Sequence, residues 1–163
     1  MRWKVPSSRW LKVNIDDSVI GNHGACGRLF RDHLGTFLGA FTCNLGTTFV
    51  FTAEVYGFIL AMEYPFQNGW MNIWLESDTT SALLIFKNTS LVPVLLRNRW
   101  HNACSLGFQI IHSHIFREGN CCVYKLAFMV HSVDGAVWLS VSPPDLQAVF
   151  YLDRCGMPRN KFP

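Results

Sequence analysis

Apolar and polar residues alternate from Leu11 to Asp16. Leu11, Val13 and Ile15 fall on one side and Lys12, Asn14 and Asp16 on the other, which predicts a half-buried strand starting near Trp10. Gly21, Asn22 and Gly24 are turn formers within 18–24, so a second strand over 25–32 is expected to return beside the first. His33-Leu34-Gly35 reads as another turn, and the β-branched and aromatic residues of 36–44 supply a third strand, completing a meander. From Thr52 the apolar period lengthens: Val55, Ile59 and Met62, with Phe58 and Phe66 beside them, predict a helix capped by Thr52 and ended by Pro65 and Gly69. A strand over 71–76 follows, and Asp78-Thr79-Thr80-Ser81 reads as the cap of a second helix reaching Lys87. A helix over 93–106, a strand over 108–116 and a helix over 120–131 come next. Pro143, Pro144 and Pro158 then predict a partly irregular tail with a short helix near 145–154. The expected organisation is a leader over 1–9, one domain over 10–131 and a tail over 132–163. Three antiparallel strands followed by alternating helices and strands describe an α/β domain, a mixed sheet flanked by helices.

Composition narrows the picture. The 163 residues are half hydrophobic and 15% charged, which excludes a disordered chain and suits one core. The longest apolar stretches, 55–62 and 91–96, fall well short of the roughly 20 residues that cross a bilayer. The charged start, 1–8, lacks the apolar stretch of a secretory signal, so an intracellular protein of nucleus or cytoplasm with no membrane partner is expected. The six cysteines form no CxxC pair and are irregularly spaced, which reads as free thiols and no disulfide-linked partner. His112 and His114 could share a strand face, but no second ligand pair completes a tetrahedral zinc site. A net charge of +3 permits a phosphate-rich partner without demanding one.

Three acids stand at element ends. Asp16 closes the first strand, Glu54 opens the long helix, and Asp78 lies at a strand-to-helix junction. Singly, each reads as well as a turn residue, a first-turn carboxylate or a cap; jointly, they occupy the places where sheets present functional groups.

Asn14-Ile15-Asp16-Asp17-Ser18, Gly27, Phe30-Arg31-Asp32 with Gly35, Phe37-Leu38-Gly39-Ala40-Phe41, Thr52-Ala53-Glu54 with Ala61, Leu75-Glu76-Ser77-Asp78, and His114-Ile115-Phe116-Arg117-Glu118-Gly119-Asn120 with Lys125-Leu126-Ala127 occur in order. In these motifs the chain resembles the plant retroelement-type ribonuclease H-like domain, of the superfamily that accompanies reverse transcriptase. The resemblance implies a mixed five-stranded sheet and endonucleolytic hydrolysis of the RNA strand of an RNA–DNA hybrid. Two ions, Mg²⁺ or Mn²⁺, held by four carboxylates would activate water and stabilise the leaving oxygen. Asp16, Glu54 and Asp78 match three of the carboxylates, and His114 matches a mobile histidine that assists proton transfer or product release. The fourth carboxylate position is Tyr124, a neutral phenol at neutral pH and a poor ligand for a hard cation. One ion or none is therefore expected here. Two further positions depart from the family: Asp17 stands where a glycine is usual, adding charge beside Asp16, and Arg28 replaces the second glycine of a pair, where it could meet a phosphate.

Ser18, Asn22, Thr79 and Thr80 match the expected contacts with groove and phosphates of a nucleic-acid duplex, and Arg97, Arg99 and Arg117 add positive charge. The expectation is a monomeric, nucleic-acid-binding ribonuclease H-type hydrolase with impaired two-metal catalysis. The alternative is an inactive nucleic-acid-binding or protein-interaction remnant, with Trp70 or Trp138 as exposed contacts.

Overall fold

A computed structural model describes residues 3–132 and 134–155. Six strands form one mixed sheet: β1 (Leu11–Ile20), β2 (His23–Arg31), β3 (Phe37–Thr47), β4 (Asn72–Ser77), β5 (Gln109–His114) and β6 (Ala136–Leu139). Their order is β5-β4-β1-β2-β3-β6. Strands β1 to β3 and β6 pair antiparallel, while β4 and β5 extend the sheet parallel to β1. The sheet has one strand more than the five expected. That strand, β6, is four residues long and comes from the segment expected to be tail.

Among the described residues the α-helices are α1 (Val50–Gln67), α2 (Thr80–Leu83), α3 (Arg97–Cys104), α4 (Cys121–Met129) and α5 (Pro144–Arg154). The long helix starts before Thr52, its N-cap is Phe49, and Pro65 is accommodated in its final turn. The second helix is shorter than expected, with one turn from Thr80 that tightens into a 3-10 turn over Leu84–Phe86. Ser18, expected in a turn, belongs to β1, because that strand runs on to Ile20 and leaves a tight hairpin at Gly21 and Asn22.

One face of the sheet buries Leu11, Val13, Ile15, Phe30, Ile73 and Leu75 against Val55, Phe58, Ile59 and Met62 of α1 and Trp100 of α3. On the other face Leu29 and Ala40 pack with Cys122, Val123 and Leu126 of α4 and Leu146 of α5. Burying such aliphatic side chains contributes roughly 1.5–3 kcal/mol each. Gly27 permits the second layer: a methyl group there would lie 2.9 Å from the Ala127 nitrogen and 3.0 Å from the Val123 carbonyl oxygen, so only glycine lets α4 sit this close to β2.

Because both faces are covered, the polar side of β1 is not solvated as expected: Lys12 is 0%, Asn14 1% and Asp16 4% exposed. Partners replace water. Lys12 Nζ pairs with Glu76 at 2.8 Å, donates to the Lys4 carbonyl at 2.7 Å, and lies 4.0 Å from the Trp74 ring centroid. Burial still pulls its pKa down to about 8, against the opposing pull of Glu76. Asn14 Oδ1 accepts from Trp3 Nε1 at 3.0 Å and from Arg31 at 2.7 Å. Its Nδ2 donates to Glu76 at 2.9 Å and to Asn120 at 3.1 Å. Arg31 is in turn paired with Asp153 of α5 at 3.0 Å.

Asp153→Ala leaves the Arg31 guanidinium buried without its carboxylate and should cost about 3 kcal/mol. A urea titration checks this, with the midpoint expected to fall at unchanged slope.

Candidate active site

Asp16 does not close β1 as expected but lies in its middle, because the strand runs on to Ile20; it comes beside Asp78, just after β4, since β1 and β4 run parallel and in register up to Ile15 and Ser77. Asp78 is near enough to help raise the Asp16 pKa. Glu54 comes from the first turns of α1, and its Oε1 accepts a 2.7 Å hydrogen bond from Thr79 Oγ1. The three acids suggested by the sequence therefore gather around the C-terminal end of the β1–β4 pairing, inside the sheet. As placed, no group of three or more His, Cys, Asp or Glu among the described residues is arranged to hold a metal ion.

The neighbourhood is electrostatically strained. Asp16 is pushed up to about 9 by burial and by the facing charges of Asp78 and Asp17, and its Oδ2 is buried without a hydrogen-bond partner. Glu54 is also raised, by burial and then by Asp78, against the stabilising Thr79 hydroxyl. Like-charged carboxylates concentrated at a partly dry site are what a bound cation, a proton or a fixed base would relieve.

Tyr124 lies on α4, with its backbone N–H on the Asn120 carbonyl. The side chain of Asn120 donates to the Ile15 carbonyl at 2.8 Å, which locks the start of α4 to the residue before Asp16. The Arg117 guanidinium stands 5.6 Å from the Tyr124 ring centroid, and its Nε bonds Asp78 Oδ2 at 3.2 Å. His114 Nε2 is 3.1 Å from the Asp78 carbonyl oxygen. That oxygen can only accept, so this nitrogen carries the proton. Asp78 is thus no helix cap; its carboxylate faces Asp16 and Arg117.

The two glycine replacements answer each other. Arg28 is fully buried and, rather than reaching a phosphate, pairs with Asp17 Oδ1 at 3.2 Å and donates to the Gly57 carbonyl at 2.5 Å. Gly57 makes the space, because a methyl group there would come within 1.5 Å of Arg28 Nη2. Burial raises the Asp17 carboxyl well above its usual range, and Arg28 opposes that rise.

The other expected contacts are dispersed or already engaged. Ser18 Oγ is 3.0 Å from His131 Nε2, Thr79 is bonded to Glu54, and Asn22 and Thr80 are exposed. Arg97 bonds the Val92 and Ser90 carbonyls, and Arg99 chelates Glu63 beside the Tyr56 ring. Trp138 is not an exposed contact; it stacks on Tyr64 at 3.9 Å, and Trp70 packs against the core. His112 stacks on Phe86, and the six cysteines are free thiols. The roles of Asn14, Asn120 and Arg117 were not foreseen. All three stand in the quoted motifs, and only Arg117 carried a further signal, its charge.

A mixed sheet of this order, with acids in the middle of β1, just after β4 and in the first turns of α1, defines a ribonuclease H-like domain. The chain belongs to the reverse transcriptase-like family, whose model matches residues 17–130. Among curated proteins it is 26% identical over 165 aligned positions to an Arabidopsis thaliana protein named "Putative ribonuclease H protein", covering 96% of this chain and 26% of that protein. The chain thus spans about a quarter of that relative's length. RNase H1 of Halobacterium salinarum superposes with a TM-score of 0.65 at 21% identity, over 75% of this chain and 97% of that one. LC11-RNase H1, solved with an RNA/DNA hybrid, gives 0.64 at 18% identity over 73% and 94%. These two likenesses are of fold. Among the described residues no helix is long and apolar enough to cross a membrane.

Two outcomes test the electrostatics. Between about pH 4 and pH 9 folded Asp16 holds a proton that the unfolded chain has released, so its contribution to stability falls as pH rises through that window. Asp16→Asn should therefore match the native chain near pH 4 and exceed it by on the order of 2 kcal/mol at pH 7, read by thermal melting at both pH values. Asp17→Gly or Arg28→Gly alone should each cost about 3 kcal/mol by stranding a buried charge. The double variant should cost clearly less than the sum, a coupling that denaturant titrations of the four proteins would measure.

Proposed function

We propose that this chain is a nucleic-acid-binding domain of ribonuclease H type that takes an RNA–DNA hybrid and whose two-metal hydrolysis is impaired at Tyr124. The observation that carries the reading is the gathering of Asp16, Glu54 and Asp78 around the C-terminal end of the β1–β4 pairing beside a phenol and a guanidinium. The donors suit one divalent ion. Asp16 Oδ2 is a buried, unpartnered oxygen next to Asp78, and hard oxygens of this kind favour Mg²⁺ or Mn²⁺. They do not suit a pair, because a phenol is a poorer ligand for a hard cation than a carboxylate and Arg117 already places positive charge on Asp78.

When bound, a divalent ion would supply Lewis-acid stabilisation of phosphate charge. The chain's own residues do the rest. Asp16 and Asp78 would hold the ion, Thr79 orients Glu54 toward the same place, and His114, tethered to the Asp78 backbone, is the nearby imidazole for proton transfer. Ser18, Asn22 and Thr80 are the candidate duplex contacts, with sequence-tolerant recognition expected. A plant retroelement origin, as the Arabidopsis relative suggests, accords with this reading, and we take the domain as an endonuclease of reduced rate.

A labelled hybrid incubated with Mg²⁺ or Mn²⁺ tests it. The native chain should bind the hybrid and cleave it slowly, Tyr124→Asp should raise the cleavage rate at least about tenfold, a gain of about 1.4 kcal/mol in barrier, and adding Asp16→Asn should abolish that gain. Equal rates for the native chain and Tyr124→Asp would overturn the impairment, and absence of binding at low salt would leave the protein-interaction alternative.

A further inference from the structure

We propose that Arg117 is the site's built-in cation: its guanidinium takes the electrostatic place of one divalent ion and grips a backbone phosphate of the bound duplex, so that nucleic-acid binding does not require metal. The phosphate half of this inference rests on the hybrid-binding reading above, and the cation half stands on geometry alone.

Arg117 has an unusual seat for an exposed arginine. Its side chain is 66% exposed, yet it is fixed at two points, by the 3.2 Å bond from Nε to Asp78 Oδ2 and by the Tyr124 ring. Only Nε is committed to Asp78, so the terminal amino groups are left toward solvent and can present a forked pair of donors, the geometry that suits phosphate oxygens. The 3-10 turn Arg117–Gly119 and the Asn120 side chain, bonded to the Ile15 carbonyl at 2.8 Å, hold Arg117 in fixed relation to Asp16. Tyr124 contributes the platform. An aspartate at that position would offer Arg117 a second carboxylate and no ring face, whereas the phenol offers a ring face and leaves the cation directed at Asp78. Placed there, a fixed positive charge repels a second cation and attracts the polyanion that the cluster of acids would otherwise repel. Lys125 is exposed beside Tyr124 and adds to the same potential.

The experiment has two readouts on the full chain, with Arg117→Ala, Arg117→Lys and the remote control Arg97→Ala. Mn²⁺ binding without nucleic acid, followed by the electron paramagnetic resonance signal of the free ion, should tighten at least about tenfold in Arg117→Ala and stay within twofold of native in Arg97→Ala. Anisotropy of a labelled hybrid should give the native chain affinities within about threefold of each other in EDTA and in Mg²⁺. In EDTA, Arg117→Ala should bind about tenfold more weakly, with a salt slope shallower by about 0.9, and Arg117→Lys should recover the slope but not the full affinity. Mn²⁺ affinity unchanged in Arg117→Ala overturns the cation role. Native binding that disappears in EDTA, or Arg117→Ala binding as native does in EDTA, overturns the phosphate role. A native chain that binds no hybrid in either buffer overturns the hybrid-binding reading and the phosphate role with it, and the Mn²⁺ readout then decides the cation role alone.

Discussion

The carboxamide of Asn14 joins four parts of the chain inside the protein: it accepts from Trp3 and Arg31 and donates to Glu76 and Asn120. Nothing else at that depth could serve all four, because the position needs two donors and a doubly accepting oxygen on one short side chain. Asn14 and Asp16 lie on the same side of β1, so these bonds fix the height at which Asp16 projects. Through Asn120 they also fix the start of α4 and with it Tyr124. A buried network of this kind is rigid only when complete, since each group left unpaired carries its own desolvation penalty of about 1–3 kcal/mol. The site's geometry is therefore inherited from an amide that takes no part in the chemistry.

Against that background the treatment of charge divides into two kinds. Lys12 with Glu76, Arg31 with Asp153 and Arg28 with Asp17 are buried ions, each beside an opposite partner. Asp16 is the contrary case, a buried carboxyl whose neighbours are other acids. Pairing joins neighbouring strands and, through Asp153, a helix to the sheet, and its omission around Asp16 leaves potential available to a ligand. Arg117 sits at the boundary between the two, bonded like a structural ion on one side and open to solvent on the other.

How much of this could be read beforehand depends on whether a residue's task is local. The alternation over Leu11–Asp16 and the three-and-four spacing from Val55 to Met62 are local signals, and β1 and α1 follow them. Resemblance rather than periodicity singles out Asp16, Glu54 and Asp78, and they come together because β1 and β4 run parallel and Thr79 reaches Glu54. What stayed hidden was set by distant partners. Lys12 and Asn14 looked solvent-facing because their cover, α4 and Trp3, comes from elsewhere in the chain. Arg28 looked available for phosphate because its counter-ion and the space left by Gly57 lie across a strand and on a helix. Strand β6 carries no alternation strong enough to announce itself in four residues, and it forms because β3 offers it an edge.

The Arg28–Asp17 pair also bears on how such a sequence can change. Each residue stands where the resembling family has glycine, and each is tolerable only in the presence of the other, with Gly57 as the third party that leaves room for the guanidinium. A chain that carries all three cannot exchange the arginine or the aspartate alone without burying a lone ion. The arrangement works as a ratchet: the floor beneath Asp16 is held to its present form by mutual dependence.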